Sequence, residues 1–240
     1  MGWHKIKYSF FRKIYSFFRR RFQRLIEPLK YSGESGYHAE KYWTDRLTGN
    51  AMTLRGVGRK DLTEEENEIM YLKAKETFLT VCEMAQVDFA HTNLLDIGCG
   101  NGYYASVFLD RGGESYTGID ITDALFEQLR DVYSNCQFVK LDVSTQPIKG
   151  HFDLIIMIDV AQHITNDEKF SYAMQNIQKH LKDEGVFIVT ADLSDGKRDS
   201  FYERSKSMEQ FRKEFPECSF SDPIPFRDKY IFFIRKGVKQ

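Results

Sequence analysis

The sequence predicts an α/β fold built on an open, doubly wound, mostly parallel sheet, and three observations support that expectation. From about Leu94 onward, short runs rich in β-branched and aromatic residues alternate with longer amphipathic stretches. Several runs are apolar almost throughout, as strands covered on both faces must be. A glycine-rich loop, Gly98-Cys99-Gly100-Asn101-Gly102, leads from the first run into a helical stretch, where the backbone must turn tightly and let a ligand approach closely.

Taken in chain order, the first element is a basic arm. Residues 1–30 hold nine Lys or Arg against one acid, Glu27, a net charge of +8 in a chain whose total is −1, so the remaining residues carry −9. On a helical wheel, Trp3, Phe10, Phe11, Ile14, Phe17, Phe18, Phe22, Leu25 and Leu29 share one sector, and Lys5, Arg12, Lys13, Arg19, Arg20 and Arg24 lie opposite or at its borders. Lys7 and Arg21 intrude on the apolar side, where long basic side chains can snorkel outward. The segment is therefore expected to be an amphipathic helix lying on an anionic membrane surface, each cation near it worth ~1 kcal/mol. Packing on its own domain, on a second subunit or on a partner protein is an alternative, as is folding only upon binding. RNA is a weaker alternative, because phenylalanines segregated to one face suit lipid better than stacked bases.

Residues 31–90 are expected to form a helical cap. Tyr31 to Asp61 is glycine-rich and mixed, and reads as a loop with short helical pieces. Thr63-Glu64-Glu65-Glu66 has the pattern of a capping box and begins a helix expected to reach about Ala85. Residues 91–240 carry the sheet, with strands expected at 93–98, 115–120, 137–142, 153–159, 185–192 and 229–236, and helices near 103–110, 123–134, 166–182 and 199–214. Thr165 and Glu168 have the spacing of a second capping box.

Composition narrows the class. With 42% hydrophobic and 29% charged residues, the 240-residue chain can bury a large core. Cys82, Cys99, Cys136 and Cys218 are far apart, which predicts reduced thiols in a cytosolic protein and no structural zinc. Charges interrupt the apolar residues of the N-terminus, so it does not read as a signal peptide. No apolar run approaches the ~20 residues of a membrane span.

The stretch "LLDIGCGNGYYASVFL", 94–109, lacks the small residue that a dinucleotide-binding G-x-G-x-x-G loop needs at position 103, where this chain has Tyr103. The G-x-G-x-G reading is complete, and with Asp96 on the strand it resembles motif I of the class I S-adenosylmethionine-dependent methyltransferases. The resemblance runs from about Leu94 to Arg235. It implies a Rossmann-like, seven-stranded sheet whose last strand is antiparallel. It further implies cofactor contacts from Asp96, Gly98, Gly100 and Gly102, from Asp120 and Ile121 at the ribose, from Asp142 and Val143 at the adenine, and from Ile158 after the fourth strand. A cofactor with a ribose, an adenine and an amino acid but no phosphate needs acids at strand ends more than phosphate-cradling N–H groups.

For an oxygen acceptor a base must take the hydroxyl proton. His163 is the candidate base, with Asp159 as its partner or as a supporting group. The chain has "IDVAQ" where base-amino methyltransferases of nucleic acids carry Asn/Asp-Pro-Pro-aromatic, so nucleic acid is not the expected acceptor. Asp159, Asp192 and Asp195 have no ligand spacing, and no metal is expected. Segment 41–71, with Tyr42-Trp43, Arg46 and Leu-Arg-Gly-Val-Gly before an acidic helix, is similar to bacterial methyltransferases of surface polysaccharide assembly, of the O-antigen or capsule type. That resemblance implies that Tyr42, Trp43, Arg46, Arg55 and Arg59 form the lid over the cofactor and the acceptor pocket, with Arg55 and Arg59 suited to an anionic sugar or a phosphate; His38 in the same cap is a second candidate for the base and an acceptor contact. The expected function is methylation of a sugar hydroxyl of a lipopolysaccharide-type glycan, or of its lipid-linked precursor, at the cytoplasmic membrane face. A small-molecule or quinone-type methyltransferase is the enzymatic alternative, and a non-catalytic RNA- or protein-binding module on the same fold is the other.

Overall fold

The computed structural model describes residues 26–33, 36–50, 52–194 and 199–237. The expected amphipathic helix at 1–30 lies outside the described residues except for its end, where 26–31 are helical. No helix among the described residues is long and apolar enough to cross a membrane.

A small hairpin, β1 (Ser32–Gly33) and β2 (Gly36–Tyr37), precedes helix α1 (Ala39–Thr48), the one-turn α2 (Leu54–Val57) and the long α3 (Glu64–Met84). The main sheet is built from β3 (Asn93–Ile97), β4 (Ser115–Asp120), β5 (Gln137–Lys140), β6 (Phe152–Met157), β7 (Leu181–Ala191), β8 (Cys218–Phe220), β9 (Ile224–Phe226) and β10 (Lys229–Lys236). Helices α4 (Tyr103–Leu109), α5 (Phe126–Val132), α6 (Asp167–His180) and α7 (Met208–Glu214) connect them. The strand order is β5-β4-β3-β6-β7-β10-β8, with β9 also paired to β10. Strands β3 to β7 pair in parallel, and β10 runs antiparallel to β7, β8 and β9. The expected mostly parallel sheet with an antiparallel last strand forms; it has eight strands rather than the expected seven, because the short β8 and β9 both pair with β10.

Alternation along each strand explains why the strands are apolar throughout. Leu94, Leu154, Ile156 and Ile188 face one core with Phe78, Val81, Phe108 and Leu129. Leu95, Ile155, Phe187 and Val189 face the other with Met174, Ile177 and Phe211. Helix α3 joins the first core along one face, burying Asn67, Tyr71, Ala74, Phe78, Val81 and Cys82 at three- and four-residue spacing. The chain leaves β3 for β4 and β5 on one side and returns to β6 on the other. The cleft at the carboxyl ends of these strands is therefore the switch point where doubly wound sheets bind ligands.

Three local expectations are corrected. The helix expected over 199–214 is confined to Met208–Glu214 and opens on a Ser207–Gln210 capping box. Upstream of it the chain is irregular: it turns at 200–203, where Ser200 N donates to Glu203 O at 2.8 Å, and it is then tied down by Arg204 N to Gln162 O and Lys206 N to Asp192 O, at 2.8 and 2.9 Å. The cap of α6 is Asn166, whose side-chain oxygen accepts from Lys169 N at 2.9 Å, rather than Thr165. The region 31–61 holds a full ten-residue helix, α1, where only short helical pieces are expected. The capping box at Thr63 and Glu66 forms as its pattern requires.

Candidate functional site

The glycine loop is shaped by backbone conformations that disfavour side chains. Gly98, Gly100 and Gly102 have φ of 77°, 51° and 78°. A Cβ at Gly98 would come within 2.3 Å of Val160, at Gly100 within 2.8 Å of Val57, and at Gly102 within 2.6 Å of Leu129. The first two therefore let β6's following turn and the cap close on the loop, while Gly102 lets helix α5 approach α4. Gly98 N and Cys99 N both donate to Ile119 O, at 2.7 and 3.1 Å, and fix the loop to β4.

The acids at the strand ends are tied to the same backbone. Asp120 accepts from Gly100 N at 3.0 Å on one oxygen and from Thr122 N at 3.1 Å on the other. Burial pushes its pKa up to about 6, against the pull of these N–H groups. Asp142 accepts from Ser144 N at 2.9 Å and Ser144 Oγ at 2.6 Å. Asp96 lies beneath the loop, only 2% exposed. It accepts from Tyr116 Oη at 2.7 Å, and burial pushes its pKa up to about 7.

Above the loop lies a cavity of about 1310 Å³, larger than the ~300–1,000 Å³ usual for small-molecule sites and roomy enough for a cofactor and an acceptor together. Along the sheet its floor reads Asp142 and Val143, then Asp120 and Ile121, then Gly98 and Gly100, then Ile158 and Asp159. The cap supplies His38, Trp43, Val57 and Tyr71, and the far wall is His163 to Lys169 with Arg204. Hydrogen bonds seat the cap, among them Thr44 Oγ1 to Thr122 Oγ1 at 2.8 Å, Asn101 Nδ2 to Met52 O at 3.1 Å, and Tyr103 Oη to Tyr71 O at 3.0 Å.

His163 sits between the cap and the 199–207 segment. Its Nδ1 is 2.9 Å from Tyr202 O, and a carbonyl only accepts, so Nδ1 carries the proton and Nε2 the lone pair. Trp43 meets the imidazole edge-on at 5.0 Å, and Tyr202 stacks on it at 5.7 Å. Burial pushes its pKa down to about 3, so the ring is neutral at pH 7. Tyr42 stacks on Tyr202 at 5.3 Å and touches Tyr31, Tyr37, Trp43 and Phe201, which makes one aromatic cluster of cap and loop.

Asp159, expected as the partner of His163, is held elsewhere. Its carboxylate is gripped by Arg227 through a short hydrogen bond and by Lys229 at 2.7 Å. The two cations overcome burial and hold its pKa down at about 2. Arg46, expected to cover the cofactor, lies outside the cavity wall: it donates to Gly58 O and stacks on Trp43 at 4.9 Å. Arg55 and Arg59, expected at the acceptor, are also outside. Arg55 donates to Lys60 O at 3.4 Å, and Arg59 pairs with Asp61 at 2.8 Å with 54% of its side chain exposed. Glu64 accepts from Leu54 N and Arg55 N, which anchors α2, and Asn67 Oδ1 accepts from Arg59 N at 2.9 Å. Asp96 and Gly102 are off the wall too, one beneath the loop and the other inside the α4–α5 contact.

Sequence reasoning missed Tyr202, Arg204, Arg227 and Lys229. All come from segments distant in the chain from the residues they meet, and the conspicuous signal was only the Arg227-Asp228-Lys229 triplet before an apolar strand. Among the described residues, no three His, Cys, Asp or Glu side chains converge as a metal site requires. Asp192 accepts from Ser194 N, and Asp195 lies outside the described residues.

Comparison with known proteins agrees with this geometry. Residues 94–185 match a family profile described as a methyltransferase domain. Over 143 residues, 57% of this chain and 50% of the relative, the sequence is 29% identical to a malonyl-[acyl-carrier protein] O-methyltransferase of Acetivibrio thermocellus. Over 109 residues it is 25% identical to a ubiquinone biosynthesis O-methyltransferase of Rickettsia typhi, covering 43% of this chain and 42% of that protein. The chain thus spans half or less of the length of the curated relatives it matches. Among solved structures, a Burkholderia thailandensis 1,6-didemethyltoxoflavin-N1-methyltransferase shares the fold with a TM-score of 0.60 at 17% identity, covering 83% of this chain and 90% of its own. A Clostridium acetobutylicum S-adenosylmethionine-dependent methyltransferase does so at 0.59 and 15%, covering 75% and 94%. Switch-point cleft, glycine loop and strand-end acids agree with these likenesses: residues 94–185 match a methyltransferase domain, and the sheet has the Rossmann-like fold of the solved methyltransferases.

Proposed function

We propose that the protein is an O-methyltransferase, and that its acceptor is a sugar hydroxyl of a surface glycan or of that glycan's lipid-linked precursor. When bound, S-adenosylmethionine supplies an electrophilic methyl group on a sulfonium. The residues present fit such a cofactor: Asp120 keeps lone pairs beyond the two N–H groups it accepts, as a ribose diol requires, and a Cβ on Gly98 or Gly100 would collide with the residues that close the loop.

The observation that carries the oxygen-acceptor reading is His163. Its Nδ1–H is pinned to Tyr202 O, its Nε2 lone pair meets only the Gln162 Nε2 amide at a long 3.3 Å, a contact an acceptor hydroxyl would replace, and it lines the cavity. The depressed pKa makes it a weak base, which suffices because a protonated ether is a far stronger acid than any imidazolium. Its role is to accept the hydroxyl proton late, as the carbon–oxygen bond forms. The glycan reading is supported by the far wall and cap edge, where Glu40, Lys41, Thr165, Asn166, Glu168 and Arg204 offer hydrogen-bonding groups rather than the continuous apolar surface a prenyl tail needs.

Calorimetry with S-adenosylmethionine tests the cofactor claim, and absence of binding at millimolar concentration would end it. Labelled methyl transfer to undecaprenyl-linked glycans, nucleotide sugars and demethylated quinone precursors then tests the acceptor. Methylation of the quinone precursors alone would overturn the glycan reading. His163→Ala is expected to lower kcat by about 10²–10⁴ with the cofactor Kd unchanged, and an unchanged kcat would reassign the residue to structure. We further propose that residues 1–30 bring the domain to an anionic membrane. Co-sedimentation with phosphatidylglycerol vesicles should fall sharply when these residues are removed, and equal pelleting would reject that role.

A further inference from the structure

Asp159 is fixed from every side. Its φ of 61° lies in the left-handed region, unusual for a residue other than glycine. Its N–H donates to Thr190 Oγ1 at 2.7 Å, its carbonyl accepts from Gln162 Nε2 at 2.9 Å, and its carboxylate accepts from Arg227 and Lys229. Such a conformation persists only where the surroundings over-determine it, and it concentrates at functional sites.

The cations themselves are arranged at a cost. Arg227 also has positive φ, 56°, and its buried Nε and Nη2 have no hydrogen-bond partner among the described residues. Its guanidinium is stacked on Tyr71 of α3 at 4.2 Å. A buried ion pair with unpaired donors is a poor stabiliser compared with apolar packing of the same volume. Neither cation lines the large cavity, whereas Asp159 does, at the end of β6 beside Ile158. The floor of the cleft runs from the strand-end acids Asp142 and Asp120, past the glycine loop, to Asp159. An elongated ligand with its adenosine at the first two therefore brings its other end to the third.

We infer that Arg227 and Lys229 are positioning residues for the amino-acid end of S-adenosylmethionine, holding the Asp159 carboxylate so that its remaining lone pairs accept from the cofactor's α-ammonium. This rests on the methyltransferase reading above. The carboxylate offers about four lone-pair sites, of which the two cations use one each. The β9–β10 hairpin, remote in sequence from the glycine loop, thereby becomes part of the cofactor site, with Tyr71 supporting Arg227 from the cap.

The test compares two ligands by calorimetry. S-adenosylhomocysteine carries the amino-acid end, and 5′-methylthioadenosine has the same adenosine thioether without it. Arg227→Gln and Asp159→Asn are each expected to weaken S-adenosylhomocysteine at least tenfold while leaving 5′-methylthioadenosine within twofold. Arg227→Lys should recover part of the loss. Equal weakening of both ligands, or no weakening of either, would overturn the inference, because a purely structural role does not discriminate between them. Lys229→Gln keeps the test decisive if the Arg227 variant does not fold, since it removes one cation and leaves the other in place. Failure of the unsubstituted protein to bind either ligand would overturn the cofactor reading itself, a result distinct from lost discrimination.

Discussion

Three buried titratable groups at the site pull stability in opposite directions with pH. His163 has its folded pKa lowered to about 3 by burial, below the ~6.5 of an exposed imidazole, so between these values the unfolded chain binds the extra proton. Its contribution therefore grows as pH rises through that window, by at most ~1.4 kcal/mol per unit, and disappears as pH falls toward 3. Asp96 and Asp120 are raised to about 7 and about 6, so they cost nothing below their unfolded value of ~3.9 and cost most above 7. Urea titrations should show the midpoint of His163→Gln depending less on pH between 4 and 6.5 than that of the natural chain. Asp96→Asn, whose amide oxygen can still accept from Tyr116 Oη, should raise the midpoint at pH 8. A lower midpoint there would mean that the carboxylate is needed in its ionised form. The acids and glycines of the loop were legible because their chemistry lies in one local pattern. The partners of Asp159 were not, since Arg227 and Lys229 reach it across 68 and 70 residues, and only the folded sheet brings them together.

At the level of elements, the strands and the long helices were legible where period and capping agreed, and the misplaced boundaries have local causes. Alternation put both faces of β3, β6 and β7 in cores, so their apolar runs were strong signals. The segment 199–207 carries no such pattern. Its course is fixed by hydrogen bonds to Gln162 O and Asp192 O, and it delivers Tyr202 and Arg204 to the site. The cap of α6 illustrates a finer limit: Thr165 and Asn166 are both good capping residues, and one residue of offset decides which is used. Asn166→Ala should cost ~1 kcal/mol in a urea titration, and Thr165→Ala less than ~0.5 kcal/mol, with the reverse order restoring the Thr165 capping box. Arg55 and Arg59 are expected at the acceptor from the resemblance of segment 41–71. Their actual partners, Lys60 O for Arg55 and Asp61 for Arg59, with Glu64 and Asn67 on their backbones, are set by the folded cap, which a motif does not reveal.

Across the whole molecule, the cap and the sheet meet at the glycine loop with very little clearance. Gly100 has φ of 51° and leaves only 2.8 Å between a would-be Cβ and Val57 of the cap. Gly100→Ala should therefore both strain the loop and lift the cap, raising the S-adenosylhomocysteine Kd at least tenfold and speeding proteolysis within 36–58 while the sheet domain survives. Unchanged proteolysis would show that the cap does not depend on this contact. The position of β10 has a different consequence. It follows the sheet's other described strands in the chain, yet it lies inside the sheet, between β7 and the short β8 and β9. Until its residues leave the ribosome, β7 presents an apolar, unpaired edge of the kind that recruits other chains. The same late arrival brings Arg227 and Lys229 to Asp159. The glycine loop is therefore made well before the two cations that hold Asp159 in place.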